Sequence, residues 1–260
     1  MASALIGGLL GKGFKAAQIS VVEINAENRA QLQQKFSIRA TEQLDEGIKD
    51  SDLVVLAVKP QQLREVALQL APLLSGQLLV SIVAGIRAAD LAGWSNSQQI
   101  VRAMPNTPAL IQSGMSGLYA LPTVSNTQRE QAQSILAAVG DTLWVADETM
   151  LDALTAISGS GPAYVFYFIE ALQQAACQQG FNLEDARRLS LTTFLGASKL
   201  AFASDEDVSV LRAKVTSKNG TTERALLSLA DNHVAEHIVQ AAGAAQTRSR
   251  ELGDELGNPS

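Results

Sequence analysis

The segment Val215-Thr216-Ser217-Lys218-Asn219-Gly220-Thr221-Thr222-Glu223-Arg224-Ala225 sets hydroxyls and an Asn-Gly pair directly ahead of an apolar helical run. Asn-Gly permits positive backbone dihedrals, and the hydroxyls of Ser217, Thr221 and Thr222 can cap or donate. The amides that open the following helix point outward with partial positive charge. A small anion, a carboxylate above all, can be held in this way without a dedicated basic residue. An ordinary capped turn between two helices uses the same residues. The segment therefore takes its chemical meaning from what accompanies it.

Two other constellations invite a chemical reading and do not sustain it. His233-Val234-Ala235-Glu236-His237 matches the H-x-x-E-H pattern and predicts both histidines on one helix face. No third ligand stands out, and the polar helix that Asp231 and Asn232 open makes solvated histidines the plainer expectation, with no metal site. Ser158-Gly159-Ser160-Gly161-Pro162 lacks the G-x-S-x-G elbow of a serine nucleophile. Its glycines and Pro162 predict a break or a close backbone approach within a helical pattern.

The elements that must position these residues change character along the chain. Ile19 to Ile24, Leu53 to Val58, Leu78 to Val83 and Ile100 to Met104 are short and aliphatic, with helical patterns between them. That alternation predicts βαβ units and a parallel sheet. Further strands are expected at Gly117 to Ala120 and Thr142 to Val145. From about Thr149 onward, apolar residues recur at three-to-four spacing over Leu151 to Gly180, Leu183 to Ala203, Val208 to Val215 and Thr222 to Leu252. An α/β domain over residues 1–148 is thus expected to precede an all-helical domain over 149–260, with Gly253 to Ser260 as a frayed tail.

An open parallel sheet binds its ligand at the carboxyl ends of the strands. Here those ends carry Lys59-Pro60, Ala84-Gly85 and Pro105-Asn106-Thr107-Pro108. Small residues and prolines let a flat cofactor approach backbone, and Asn106 can meet an amide group. Glu23, at the end of the first of these strands, can accept hydrogen bonds from an adenosine ribose, and the nearest arginines are Arg29 and Arg39. The acceptor favours a free 2′-hydroxyl over a 2′-phosphate.

Composition narrows the function classes. The 260 residues are 47% hydrophobic and 18% charged, enough for well-filled cores in one large or two ordinary domains. The net charge of −6, without a basic stripe, disfavours nucleic acid and anionic membrane as partners. Small-molecule chemistry is favoured. Cys177 is the single cysteine, leaving no internal disulfide, and a cytoplasmic setting is expected. Met1 to Leu10 lacks the basic region of a signal sequence and reads as a helix. The apolar stretch Ala163 to Ala176 is interrupted by Glu170 and falls short of the roughly 20 residues a bilayer needs.

Three motifs in order, Ala103-Met104-Pro105-Asn106-Thr107-Pro108-Ala109, Ser158-Gly159-Ser160-Gly161-Pro162-Ala163-Tyr164 and Val215 to Thr222, closely resemble the pyrroline-5-carboxylate reductases. The resemblance covers essentially the whole chain. It implies a Rossmann-like dinucleotide-binding domain followed by an all-α dimerisation domain, a homodimer, and rings of dimers such as a decamer. It also implies reduction of 1-pyrroline-5-carboxylate to L-proline with NADPH or NADH, the last step of proline biosynthesis. By the same resemblance Ala57, Val58, Lys59, Pro60, Ile82, Ala84 and Gly85 border the cofactor, with Met104, Pro105 and Asn106 beside its nicotinamide. Ser217, Asn219, Gly220, Thr221 and Thr222 cradle the substrate carboxylate, Thr222 also approaches the ring nitrogen as the catalytic hydroxyl, and Glu148 and Asp205 match acidic positions nearby.

The bottom-up chemistry agrees, because hydride addition to a protonated cyclic imine needs positioning more than a strong acid. A hydroxyacid dehydrogenase on a similar plan would need a lysine or histidine to take the alcohol proton. That related dehydrogenase, or another imine reductase, is one alternative; a non-catalytic dimer that binds proline-like carboxylates is the other. Three departures qualify the resemblance. A Rossmann domain opens with a strand and G-x-G-x-x-G, yet Met1 and Ala2 stand at that motif's end, Ala2 at its third glycine, so about ten residues of strand and turn are wanting. A start at an internal methionine, with weak cofactor binding by this form, is the expectation. Gly7, Gly8, Gly11 and Gly13 do not replace the motif and read as helix-packing and C-cap glycines. Lys218 stands where a proline is common, and Glu23-Ile24-Asn25 lacks the basic residue many members place after this strand.

Overall fold

The computed structural model describes residues 1–257 and contains two compact units, Met1–Ser160 with Ala245–Ser260, and Gly161–Ala244. In the first unit α1 (Ala2–Gly11) leads to β1 (Ser20–Val22), α2 (Ala26–Phe36), β2 (Arg39–Thr41) and α3 (Leu44–Ile48). There follow β3 (Leu53–Leu56), α4 (Pro60–Leu70), β4 (Leu78–Ser81), α5 (Ala88–Ser95) and β5 (Ile100–Met104). β6 (Gly114–Ala120), α6 (Asn126–Leu136), β7 (Gly140–Trp144) and α7 (Met150–Leu154) complete the run.

Local chemistry sets these boundaries. Asn25 caps α2 by accepting from the Asn28 amide at 2.9 Å, and Ser37 ends it in a left-handed conformation at φ 54°. Pro60 occupies the first turn of α4, where its missing N–H costs nothing. Ser125 and Gln128 close a reciprocal capping box at the start of α6.

β3, β4 and β5 run parallel, and β7 is parallel to β6. β6 is antiparallel to β5. Side-chain alternation splits the core between two faces. Leu78, Val80 and Val101 join Leu5 of α1 and Leu136 of α6, whereas Leu79 and Ile100 join Leu63 and Leu70 of α4 and Leu91 of α5. Fully burying each such leucine or isoleucine is worth about 1.5–3 kcal/mol. β1 and β2 form a separate parallel pair. A doubly wound order places one strand between the positions that β1 and β3 occupy. β3 to β7 form the five-stranded sheet, in the order β3-β4-β5-β6-β7.

Gly8 packs so closely on α6's C-terminal extension that a Cβ there would meet the Ala138 carbonyl, and Gly13, at φ 93°, follows the end of α1. Both are the packing and capping glycines expected. Between α7 and the second unit the backbone widens into a π-helical turn, Thr155–Gly159, the break anticipated at Ser158 to Pro162.

The second unit is helical throughout, with α8 (Gly161–Gln178), α9 (Leu183–Phe202), α10 (Val208–Lys214), α11 (Thr221–Asp231) and the first part of α12 (Val234–Gly257). The long run expected from Thr222 to Leu252 is two helices, parted at His233, whose φ is 53°. His233 thus precedes α12, and the H-x-x-E-H residues do not share one helix face. The end of the chain also differs from expectation. α12 continues to Gly257, and Ser249 is buried with its hydroxyl donating to Asp152 Oδ1 at 2.7 Å. This contact, with Leu151 and Leu154 packed where a Gly117 Cβ would be, draws residues 149–160 and the last turns of α12 into the first unit. Asn258, Pro259 and Ser260 lie outside the described residues.

Candidate active site

The first unit gathers the expected cofactor residues at its strand ends. Glu23 extends β1, its amide donating to Thr41 O at 2.9 Å. Its carboxylate Oε1 accepts from the Asn25 amide at 2.8 Å. Ala57 and Val58 follow β3, and Lys59 is the N-cap of α4, where no side chain among the described residues caps the exposed amides. Ile82 extends β4 by donating to Leu56 O at 3.1 Å. Ala84 precedes Gly85, whose φ of +77° suits only glycine without strain; a Cβ there would also lie 2.7 Å from Leu256 Cδ1. Met1 is the N-cap of α1, so the amides of Ala2 and Ser3 begin that helix without a carbonyl one turn earlier.

Met104, Pro105 and Asn106 leave β5. Asn106 does not hold its amide free for a ligand. Its Nδ2 donates to both the carbonyl and the hydroxyl of Ser158 at 3.1 Å, and its Oδ1 accepts from the Met115 amide at 2.9 Å. It therefore clamps the π-helical turn to the start of β6. Met104 Cε would lie 3.2 Å from a Cβ at Gly159, so that glycine gives the methionine its place. Uncapped helix starts, a left-handed glycine and a carboxylate just past the end of β1 are features that fit a dinucleotide.

Glu148 is held between the start of α5 and β5. Its Oε1 accepts from the Ala88 amide at the start of α5, at 2.7 Å, and from Arg102 Nη1 at 2.9 Å. The Arg102 side chain is only 6% exposed, so Glu148 supplies the counter-charge that its burial requires. Sequence reading missed Arg102 because it stands as the middle residue of an otherwise aliphatic strand. Asp90, in the first turn of α5, is pushed above the ordinary carboxyl range by burial, with Glu148 adding to the effect and the Arg87 amide and charge opposing it. Asp147 is held below that range by the amide and hydroxyl of Thr149.

In the second unit the Val215 to Ala225 segment closes α10 and opens α11. Gly220 donates to Ser217 O at 3.0 Å, and Asn219 adopts φ 59°, the left-handed conformation the Asn-Gly pair predicted. A Cβ on Gly220 would meet Ser217 Oγ, so the glycine leaves that hydroxyl its place in the turn. Gly220 is the N-cap of α11 without a side-chain cap. The Thr221 and Thr222 amides thus open the helix with no carbonyl one turn earlier, beside the Ser217, Thr221 and Thr222 hydroxyls. Glu223 Oε2 accepts from the Asn219 amide at 2.7 Å and stiffens the turn. That residue was missed, although an acid in the first helical turn is a recognised capping signal. Asp205 is exposed, two residues before Asp207, which is held below the ordinary carboxyl range by the Ser209 hydroxyl and amide.

Comparison with known proteins adds an independent line. The chain matches family models described as "Pyrroline-5-carboxylate reductase dimerisation" over residues 148–252 and "NADP oxidoreductase coenzyme F420-dependent" over residues 1–85. It is similar to pyrroline-5-carboxylate reductase of Pseudomonas aeruginosa, with 48% identity over 99% of this chain and 95% of that protein. The Haemophilus influenzae enzyme of that name is 42% identical over 97% of this chain and 94% of its own length. Among solved structures, a pyrroline-5-carboxylate reductase from Coxiella burnetii superposes with a TM-score of 0.93 at 37% identity, covering 96% of this chain and 94% of that one. A Plasmodium falciparum pyrroline carboxylate reductase with NADP bound gives 0.84 at 30% identity, with the same coverage.

Proposed function

The chain belongs to the pyrroline-5-carboxylate reductase family, and from that premise we propose how its own residues perform the reduction of 1-pyrroline-5-carboxylate to L-proline. The observation that carries the residue assignment is the uncapped start of α11 behind a left-handed Asn219 and a Gly220 that leaves room for the Ser217 hydroxyl. That turn offers oriented amides and three hydroxyls to a carboxylate and no fixed cation that would trap the product. Ser217, Gly220, Thr221 and Thr222 hold the carboxylate, and Asn219 sets the turn. The Thr222 hydroxyl meets the ring nitrogen and orients the imine carbon.

A dihydronicotinamide, bound as NADPH or NADH, supplies the hydride. Glu23 takes its ribose, the starts of α1 at Met1 and Ala2 and of α4 at Lys59 and Pro60 face its phosphates, and Ala57, Val58, Ile82, Ala84 and Gly85 border it. Met104 and Pro105 lie beside the reactive ring, in a loop that Asn106 braces through Ser158. The imine nitrogen is basic enough to be partly protonated near neutral pH. Orientation is therefore the main demand, and no strong acid is needed. Glu148 acts here through Arg102 and α5 rather than by touching substrate, and Asp205 contributes charge near the α9 to α10 connection.

We further read the assembly as a homodimer formed through the second unit, with higher rings such as a decamer built from it, in the cytosol. Exposed Phe166, Tyr167, Leu195 and Phe202 on helices of that unit support the dimer, and the single exposed thiol of Cys177 suits a reducing compartment. No helix among the described residues is long and apolar enough to cross a membrane. The substrate site is tested by thermal stabilisation with L-proline. Proline should raise Tm of the protein, and the rise should disappear in Ser217→Ala with Thr221→Ala. An undiminished rise in that variant would move the carboxylate site elsewhere.

A further inference from the structure

Resting on the cofactor reading above, we infer that Glu23, Glu42 and Arg29 make this chain discriminate against a 2′-phosphate, so that it takes NADH in preference to NADPH. β1 and β2 are parallel with Val22 opposite Thr41. The residues that follow them, Glu23 and Glu42, therefore stand side by side at the carboxyl edge, where an adenosine ribose is received. The Asn25 amide fixes Glu23 through Oε1, and an ionised carboxylate still accepts at its other oxygen. A ribose hydroxyl can donate to it. A phosphate monoester has mostly lost such a proton at neutral pH and brings a charge of about −1.5 to −2 against the carboxylates.

The cation that could reverse this is already committed. Arg29 Nη1 donates to the Glu23 carbonyl at 2.6 Å and to the Ile24 carbonyl at 3.3 Å, while Nη2 meets Glu42 Oε2 at 3.3 Å. Its side chain is 20% exposed, beneath the loop rather than beyond it. Turning outward to a phosphate would forfeit these bonds and leave Glu42 uncompensated. Arg39, the other nearby arginine, begins β2 opposite Ser20 and so marks the opposite edge of the strand pair, about 10 Å away by strand rise. Ile24 is apolar, and Asn25 is occupied in capping α2.

Equilibrium titration of the full chain with NADH and with NADPH, followed by nicotinamide fluorescence, tests this without relying on turnover. NADH should bind at least about tenfold more tightly, the effect of one hydrogen bond to a charged group exchanged for a like-charge contact. The margin should narrow at high salt, because the repulsive part is screened. Glu23→Gln combined with Glu42→Gln should cut the ratio several-fold. A merely structural role would weaken both nucleotides together and leave the ratio unchanged, which would overturn the inference. NADPH bound as tightly as NADH by the unaltered chain would also overturn it while leaving the reductase reading intact. Binding of neither nucleotide would instead overturn the cofactor reading, and the inference with it.

Discussion

Asp90 and Glu148 are carboxylates within electrostatic reach of each other, yet their surroundings treat them differently. Glu148 has Arg102 and a helix amide as partners, whereas burial leaves Asp90 with a raised pKa. A carboxyl whose folded pKa exceeds its unfolded value binds more protons folded than unfolded. Stability therefore falls as pH rises from the ordinary value of 3.8 through the folded pKa, and the deficit persists above it. Asp90→Asn should remove that fall. Thermal unfolding between acid and neutral pH should show the variant gaining on the parent as pH rises, and a parallel pair of curves would refute the burial argument. At the same scale, Asn106 illustrates a residue whose motif was legible and whose bonds were not. Its motif marks it as a nicotinamide neighbour, and its hydrogen bonds to Ser158 and Met115 add the role of a brace that no spacing in the sequence shows.

At the scale of elements, Arg102 and Glu148 tie β5 to the start of α5. Glu148→Ala would leave a buried guanidinium without its counter-charge, at a cost of about 3 kcal/mol. Urea unfolding should place Glu148→Gln between that variant and the parent, since the amide can keep the Ala88 contact while losing the charge. Equal stability of all three would show that the pair carries no load. The strands β3, β4 and β5 were legible because aliphatic runs are bounded by polar turns. β2 was not, because Arg39-Ala40-Thr41 has neither length nor an apolar run, and it exists only by pairing with β1. The antiparallel course of β6 leaves no trace in periodicity, which is the same for both directions. The end of α12 was misjudged because Gly253 looks like a terminator. In the fold it packs against Arg87, whose guanidinium would be 3.1 Å from a Cβ at that glycine.

At the scale of the molecule, the second unit is the part that cannot be understood alone. Among its described residues only Ala186 and Ser190 are buried, while Phe166, Tyr167, Leu195, Leu200 and Phe202 are exposed. A helical unit with so little core needs a partner surface to offset its conformational entropy. Phe166→Glu with Leu195→Glu should shift the protein toward monomer in sedimentation, and Tm of the parent should rise with protein concentration. A parent that remains monomeric at every concentration would contradict the dimer. Function at this scale is a matter of family and site together. The measurement that tests the central claim most directly is oxidation of reduced nicotinamide by the protein in the presence of 1-pyrroline-5-carboxylate, with the product identified. Nicotinamide absorbance should fall in step with the appearance of L-proline. The account is contradicted if the folded protein, shown to bind a reduced nicotinamide, forms no L-proline, or if it turns over a 2-hydroxy acid instead.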